Sequence, residues 1–236
     1  MEKHLLASQS RGLQMLFLLQ EPLGGEIVEE KGIMPDVNRV NSYTDAQFSQ
    51  KVLNQHGAFL VGEDPYEVEI VSQTDAVVRG KNLDFYEAVI KEFRFYAEHI
   101  TRFWDESHNL IEEYPAVALL EIPIAEIQPS QFYVDESKMQ AVRTFVTSEQ
   151  DLVIPLVRWK DRNVSVDGHT RLAVAVEKGI KTAYGFYTEA GDYVFDFAAE
   201  AKKRGIVSPY QLRKVNHEEY EKLWYPFCDE YFANKK

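Results

Sequence analysis

Five consecutive residues, Asp167-Gly168-His169-Thr170-Arg171, gather groups suited to handling an anion. They stand where the strand-like stretch Asn163–Val166 gives way to the helical run Leu172–Lys178. A strand-to-helix turn leaves the first backbone N–H groups of the helix unpaired, and the helix dipole adds partial positive charge there. Gly168 has no Cβ, so a phosphate can approach the main chain closely. Arg171, one turn in, can aim its guanidinium fork at the same anion, and Thr170 can add a hydroxyl. Asp167 is suited to holding a divalent metal or taking a proton. His169 is suited to acid–base work or to donating to phosphate. The same residues also have a plainer reading: an ordinary Asp-Gly turn, a capping aspartate, and an arginine paired with a carboxylate. Local chemistry leaves both open.

The elements around this turn alternate. Ala118–Ile124 reads as a strand, Pro129-Ser130 as a turn, and Asp135 opens a helix to about Val146. Pro155–Lys160 is a strand, and Asp161-Arg162 turns it into Asn163–Val166 as a hairpin. After the motif helix, Gly179 is its stop and Thr182–Tyr187 is a further strand. Tyr193–Arg204, Pro209–Lys214 and Glu218–Phe232 read as helices. The order β-α-β-β-α-β with extra C-terminal helices predicts an α+β domain over residues 118–236.

Residues 1–117 form a separate α+β region of unknown role. Glu2–Gln20 has helical spacing and is stopped by Pro22, Gly24 and Gly25; Glu26 to about Gln55 reads as irregular. Gly57–Gly62, Tyr66–Ile70 and Ala76–Arg79 predict a small antiparallel sheet. From Asn82 to about Glu113, Phe85, Val89, Phe93, Tyr96, Ile100, Phe103 and Leu110 recur at three- and four-residue steps, predicting one long helix that Pro115 ends. The apolar stripe of such a helix would fit its own chain or a second copy, so an oligomer is open.

The 236 residues carry 38 acidic against 26 basic side chains, a net charge of −12. DNA affinity comes mostly from Lys and Arg neutralising phosphates, so DNA is an unfavoured partner. Residues 1–118 hold net −10 and residues 119–236 net −2. A local anion site is therefore compatible with the second half, and the acidic first half suits a protein partner better than a membrane. The apolar runs are too short to cross a bilayer, no export signal is evident, and Cys228 is the single cysteine. These features predict a cytoplasmic protein.

The stretch Val164-Ser-Val-Asp-Gly-His-Thr-Arg-Leu-Ala-Val-Ala-Val-Glu-Lys-Gly179 resembles the signature helix of the ParB/sulfiredoxin-like superfamily. Glu121-Ile-Pro-Ile-Ala-Glu-Ile-Gln-Pro-Ser130 resembles its opening strand and turn, and Pro155-Leu-Val-Arg-Trp159 its next strand. The likeness covers about residues 118–188. The sulfiredoxin branch needs a cysteine where this chain has His169, and Cys228 is remote. The ParB partition proteins carry Glu-Arg-Arg after the glycine, bind cytidine nucleotide there and append a DNA-binding helix-turn-helix; here those positions hold His169, Thr170 and Arg171. The motif is closest to the free serine kinases, which carry Asp-Gly-His-His-Arg, with Thr170 replacing the second histidine. Their general base, a glutamate after the proline of the first turn, falls on Gln131, which cannot take a proton at neutral pH; Asp135 and Glu136 are the nearby substitutes.

The resemblance implies a pocket formed by Gly168, His169, Thr170, Arg171, Ser130 and Gln131 that binds a nucleotide (ADP, ATP or CTP) or another phosphorylated small molecule. As a kinase-like enzyme it would carry out phosphoryl transfer or nucleotide hydrolysis with Mg²⁺ on Asp167, and Asp167 and His169 would be the catalytic pair. The alternative is a non-catalytic nucleotide-sensing module that binds a protein partner. A DNA-associated partition-type protein is the weaker third reading. Elsewhere, His99, Asp105, His108 and Glu112 would share the long helix at metal-ligand spacing, although a solvated face explains them as well. Cys228, Trp159 and Trp224 read as packed side chains, Lys202-Lys-Arg204 as a helix C-terminal complement, and Ser8–Arg11 as an exposed face.

Overall fold

A computed structural model describes residues 36–235. The helix expected over Glu2–Gln20, with Ser8–Arg11, lies outside them. The chain divides into two compact units between Val117 and Ala118, and both mix helices with sheet. Among the described residues, no helix is long and apolar enough to cross a membrane.

The described residues of the first unit form a six-stranded sheet with two α-helices. Its strands are β1 (Val37–Arg39), β2 (Ala58–Val61), β3 (Asp64–Ile70), β4 (Asp75–Gly80), β5 (Arg102–Trp104) and β6 (Leu110–Glu113), hydrogen-bonded in chain order. All pairs are antiparallel except β4 with β5. Within the stretch expected to be irregular, β1 and the short helix α1 (Gln50–Asn54) have formed, the latter capped by the Ser49 hydroxyl. Tyr66 and Val68 alternate inward with half-buried Glu67 and Glu69, the period of a one-faced strand. Helix α2 (Tyr86–Arg94) lays Val89, Ile90 and Phe93 on that face, where the Phe93 ring meets Phe59 and Phe103 edge-on.

The single long helix from Asn82 to Glu113 is not formed. Asn82 caps one 3₁₀ turn, α2 ends at Arg94, and the remainder becomes β5 and β6. Asp105 breaks the helical pattern: its Oδ1 accepts from the backbone N–H groups of Ser107 and Asn109, both at 2.8 Å, closing a turn in which His108 has φ +62°. The backbone N–H groups of Thr101 and Arg102 instead donate to the Thr74 carbonyl beside β4, which seats Phe103 fully in the sheet core. Leu110, the last member of the supposed stripe, is exposed. Asp105, His108 and Glu112 therefore share no helix face, and among the described residues no group of three or more His, Cys, Asp or Glu is arranged to hold a metal.

The second unit has a five-stranded sheet in the order β7-β12-β10-β11-β8, made from Leu120–Pro123, Thr182–Tyr187, Val153–Trp159, Arg162–Ser165 and Ile127–Pro129. Strand β10 pairs antiparallel with β11 and parallel with β12. Two further strands, β9 (Tyr133–Asp135) and β13 (Arg213–Val215), pair in parallel on their own. The helices are α3 (Glu136–Arg143), α4 (His169–Lys178), α5 (Tyr193–Lys203) and α6 (His217–Ala233). Pro209–Lys214 is not a helix. The Ser208 and Gln211 side chains close a one-turn 3₁₀ box, and Arg213 N–H then donates to the Phe132 carbonyl, drawing the chain into β13 beside β9. Trp224 and Cys228 are buried on the inner face of α6, where Trp224 meets Phe132 and Phe197 edge-on, while half-buried Trp159 leans on Phe195.

Candidate functional site

The motif turn is built by three neighbouring segments. Strand β11 delivers Ser165, the end of β8 delivers Ser130, and α4 begins at His169 after Gly168, which takes φ +81°. That left-handed conformation favours glycine. Gly168 occupies the cap position of α4 and has no side chain to cap with, whereas Ser49, Asp135 and Asn216 cap α1, α3 and α6 through theirs. The first amides of α4 are thus not consumed by a side chain at that position.

Arg171 folds back over this glycine. A Cβ on Gly168 would come 3.2 Å from Arg171 Nη2, so the guanidinium lies against the turn. Nη1 donates to the Val153 carbonyl on β10 at 2.7 Å, which fixes the fork, and Nη2 stands 3.7 Å from Asp167 Oδ2. Burial lowers the Arg171 pKa from its usual value. The Asp167 side chain is 55% exposed against 22% for Arg171. At that exposure and distance the pair is a weak, screened interaction, one that an incoming anion can replace at Arg171.

His169 is placed differently from a surface acid–base group. It is buried, and Nε2 accepts from the Ser130 backbone N–H at 3.2 Å with the Ser165 hydroxyl at 3.1 Å. The Ser130 hydroxyl donates to the Ser165 carbonyl at 2.7 Å, tying β8 to β11. With Nε2 accepting, the proton sits on Nδ1. Burial is the main cause that lowers the imidazole to about 4, so the ring is neutral at physiological pH. His169 thus works as an internal brace that binds the motif turn to Ser130.

The other expected residues separate. Thr170 stays in the first turn of α4, half-buried. Gln131 turns its amide away: Nε2 donates to the Tyr133 carbonyl and to the Tyr220 hydroxyl on α6. Asp135 has a fully buried carboxylate. Its Oδ1 caps α3 through the Ser137 N–H at 2.8 Å, and Oδ2 meets His217 Nδ1 at 2.7 Å. Although burial alone would raise it, hydrogen bonds from His217 and Ser137 hold Asp135 below the usual carboxylate value. Glu136 is exposed at the start of α3. Lys202, Lys203 and Arg204 do end α5, and Arg204 pairs with Glu200.

The sequence reading missed Ser165 and His217. Ser165 precedes the motif as one more residue of β11, and only the four-residue return from β11 to His169 gives it a role. His217 lies 82 residues from Asp135 and carried no local signal.

No protein-family model and no curated protein matches the chain. Among solved structures, protein Atu1540 from Agrobacterium tumefaciens aligns with a TM-score of 0.28 and 19% identity, over 41% of this chain and 53% of that one. The aligned part thus spans about half the length of that structure.

Proposed function

We propose that the second unit is a ParB/sulfiredoxin-like module that binds the phosphate of a nucleotide, or of another phosphorylated small molecule, at Asp167–Arg171. The observation that carries this reading is the Arg171 guanidinium, clamped by the Val153 carbonyl and laid against left-handed Gly168 at the first turn of α4. Backbone amides and a fixed cation then converge on one anion, the arrangement favoured at helix N-termini. Asp167, half exposed beside them, fits a Mg²⁺ ion whose remaining ligands are phosphate oxygens and water.

The same geometry takes His169 out of the expected catalytic pair and leaves Asp167, half exposed, as its one open member. His169 is neutral and braced by Ser130 and Ser165, Gln131 is engaged with Tyr220, and Asp135 is buried against His217. Of the residues expected to act as bases, His169 and Asp135 are thus enclosed, while Asp167 and Glu136 stay exposed. The favoured form of the proposal is therefore a nucleotide-sensing module whose acidic first unit meets a protein partner, ahead of a phosphotransferase or nucleotidase. The net charge of −12 keeps the DNA-associated reading last.

Calorimetric titration of the full chain with ADP, ATP and CTP, with and without Mg²⁺, tests this. Arg171→Ala is expected to weaken binding at least tenfold, because a hydrogen bond to a charged group is worth about 1.5–3 kcal/mol. No binding of any of the three by the wild type would refute the proposal. Phosphate release that disappears in Asp167→Ala would move the reading from sensor to enzyme.

A further inference from the structure

The C-terminal ends of β10 and β12 carry a cluster that the phosphate reading does not use. Arg158 on β10 stands opposite Asn163 on β11, and Tyr187 ends β12 in register with Leu156. Alternation along the strands puts Leu156, Arg158, Asn163 and Tyr187 on one face of the sheet. Buried Asn163 is the hub. Its Oδ1 accepts from Arg158 Nη1 at 2.7 Å and from the Tyr187 hydroxyl at 2.8 Å. A guanidinium only donates, so this contact fixes which end of the amide is oxygen. The amide NH₂ is then a pair of donors with no acceptor among the described residues.

Arg158 is exposed, and among the described residues no carboxylate pairs with it. Only its Nη1 side is engaged, by Asn163, while the Tyr187 ring centroid lies 5.9 Å from Cζ. The other edge, where Nε–H and Nη2–H run parallel, is left open. Arg143 shows what that edge takes in this protein: its Nε and Nη2 hold the two oxygens of Glu177 at 2.7 and 2.9 Å. One positive charge beside neutral donors matches a monoanionic carboxylate, whereas a phosphate dianion would keep an unbalanced charge. Apolar surface adjoins the guanidinium. Tyr187 is 46% exposed, and Leu120, which pairs with Gly185 two residues before it, is 44% exposed on the same face. Such diagonal neighbours stand about 7–8 Å apart. We infer that Arg158, Asn163 and Tyr187 form a binding site for a small organic carboxylic acid. Its carboxylate sits on the open edge of Arg158 and the Asn163 NH₂, and its apolar part lies on Tyr187 and Leu120. No residue of Asp167–Arg171 takes part, so the inference is independent of the phosphate reading.

The test titrates benzoate into the full chain and follows the side-chain NMR resonances of Arg158 Nε–H and Asn163 NH₂. Inorganic phosphate and benzamide are titrated in parallel, to separate carboxylate from phosphate and charge from shape. Benzoate is expected to shift both resonances saturably. Arg158→Gln should weaken benzoate binding at least tenfold, since it removes the charge-assisted pair. Arg158→Lys should weaken it as well, because an ammonium lacks the parallel donors. Arg171→Ala should leave it unchanged. The urea midpoints of both Arg158 variants should stay near that of the wild type, because the side chain is exposed. A wild type that shows no saturable shift overturns the inference. So does benzoate affinity unchanged in Arg158→Gln, or phosphate or benzamide bound as tightly as benzoate.

Discussion

Replacing Gly168 with alanine separates what the turn costs in backbone from what it does for Arg171. Gly179 provides the internal reference. It ends α4 with φ +76°, close to the +81° of Gly168, but a Cβ there meets nothing within 4 Å. Gly179→Ala thus reports only the left-handed backbone penalty, about 1–2 kcal/mol. At Gly168 the added Cβ would also come 2.8 Å from Ile154 Cδ1 and 3.2 Å from Arg171 Nη2. The isoleucine tip can rotate away, but the guanidinium is anchored on the Val153 carbonyl and must leave that 2.7 Å bond or tilt on it. Losing one such charge-assisted bond adds about 1.5 kcal/mol, which brings Gly168→Ala to roughly 3 kcal/mol. Urea unfolding followed by tryptophan fluorescence, with Trp159 and Trp224 reporting on the second unit, measures both variants. Nucleotide titration should show the larger loss for Gly168→Ala. If the two alanine variants lose equal stability and Gly168→Ala binds nucleotide like the wild type, the placement of Arg171 against this turn is refuted.

Three further outcomes follow from the same geometry. His169 falls from 6.5 to about 4 on folding, so the unfolded ring takes a proton that the folded ring refuses; the stability it contributes is full above about pH 6.5 and declines by about 3 kcal/mol down to about pH 4. His169→Gln should erase that slope in urea midpoints, whereas the Glu177 contribution, depressed to about 2 by Arg143 and Lys214, is lost only between about pH 4.5 and 2. A slope unchanged in His169→Gln would refute the buried neutral ring. Ser165→Ala removes a donor to Nε2 while the Ser130 N–H remains, so it should cost about 1 kcal/mol and raise the His169 titration midpoint seen by NMR; a midpoint that falls would contradict the assigned tautomer. Phe103→Ala should destabilise the first unit by about 3–5 kcal/mol, since the ring is fully buried against Phe93 and Tyr114; a cost under 1 kcal/mol would contradict its place in the sheet.

Local pattern made much of the second unit readable before any coordinates. Asp135 announced the start of α3, Gly179 the end of α4, and the alternation through Thr182–Tyr187 the strand β12, because each is a property of a few adjacent residues and their dihedral preferences. Residues 100–113 misled for the same reason. Ile100, Phe103 and Leu110 match a helical period by spacing alone, and the preference for strands comes from hydrogen bonds to Thr74 and a core reached across the sheet. The roles at the candidate site were non-local in the same way. Burial among serines 4 and 39 residues away made His169 a neutral brace, and the Val153 carbonyl, 18 residues away, fixed Arg171. His217 met Asp135 only when β13 paired with β9 and brought the two side chains together. Residue types and spacing determined which groups this protein has for anion and metal chemistry; burial and long-range pairing, which set charge state and direction, decided which of them are left to use.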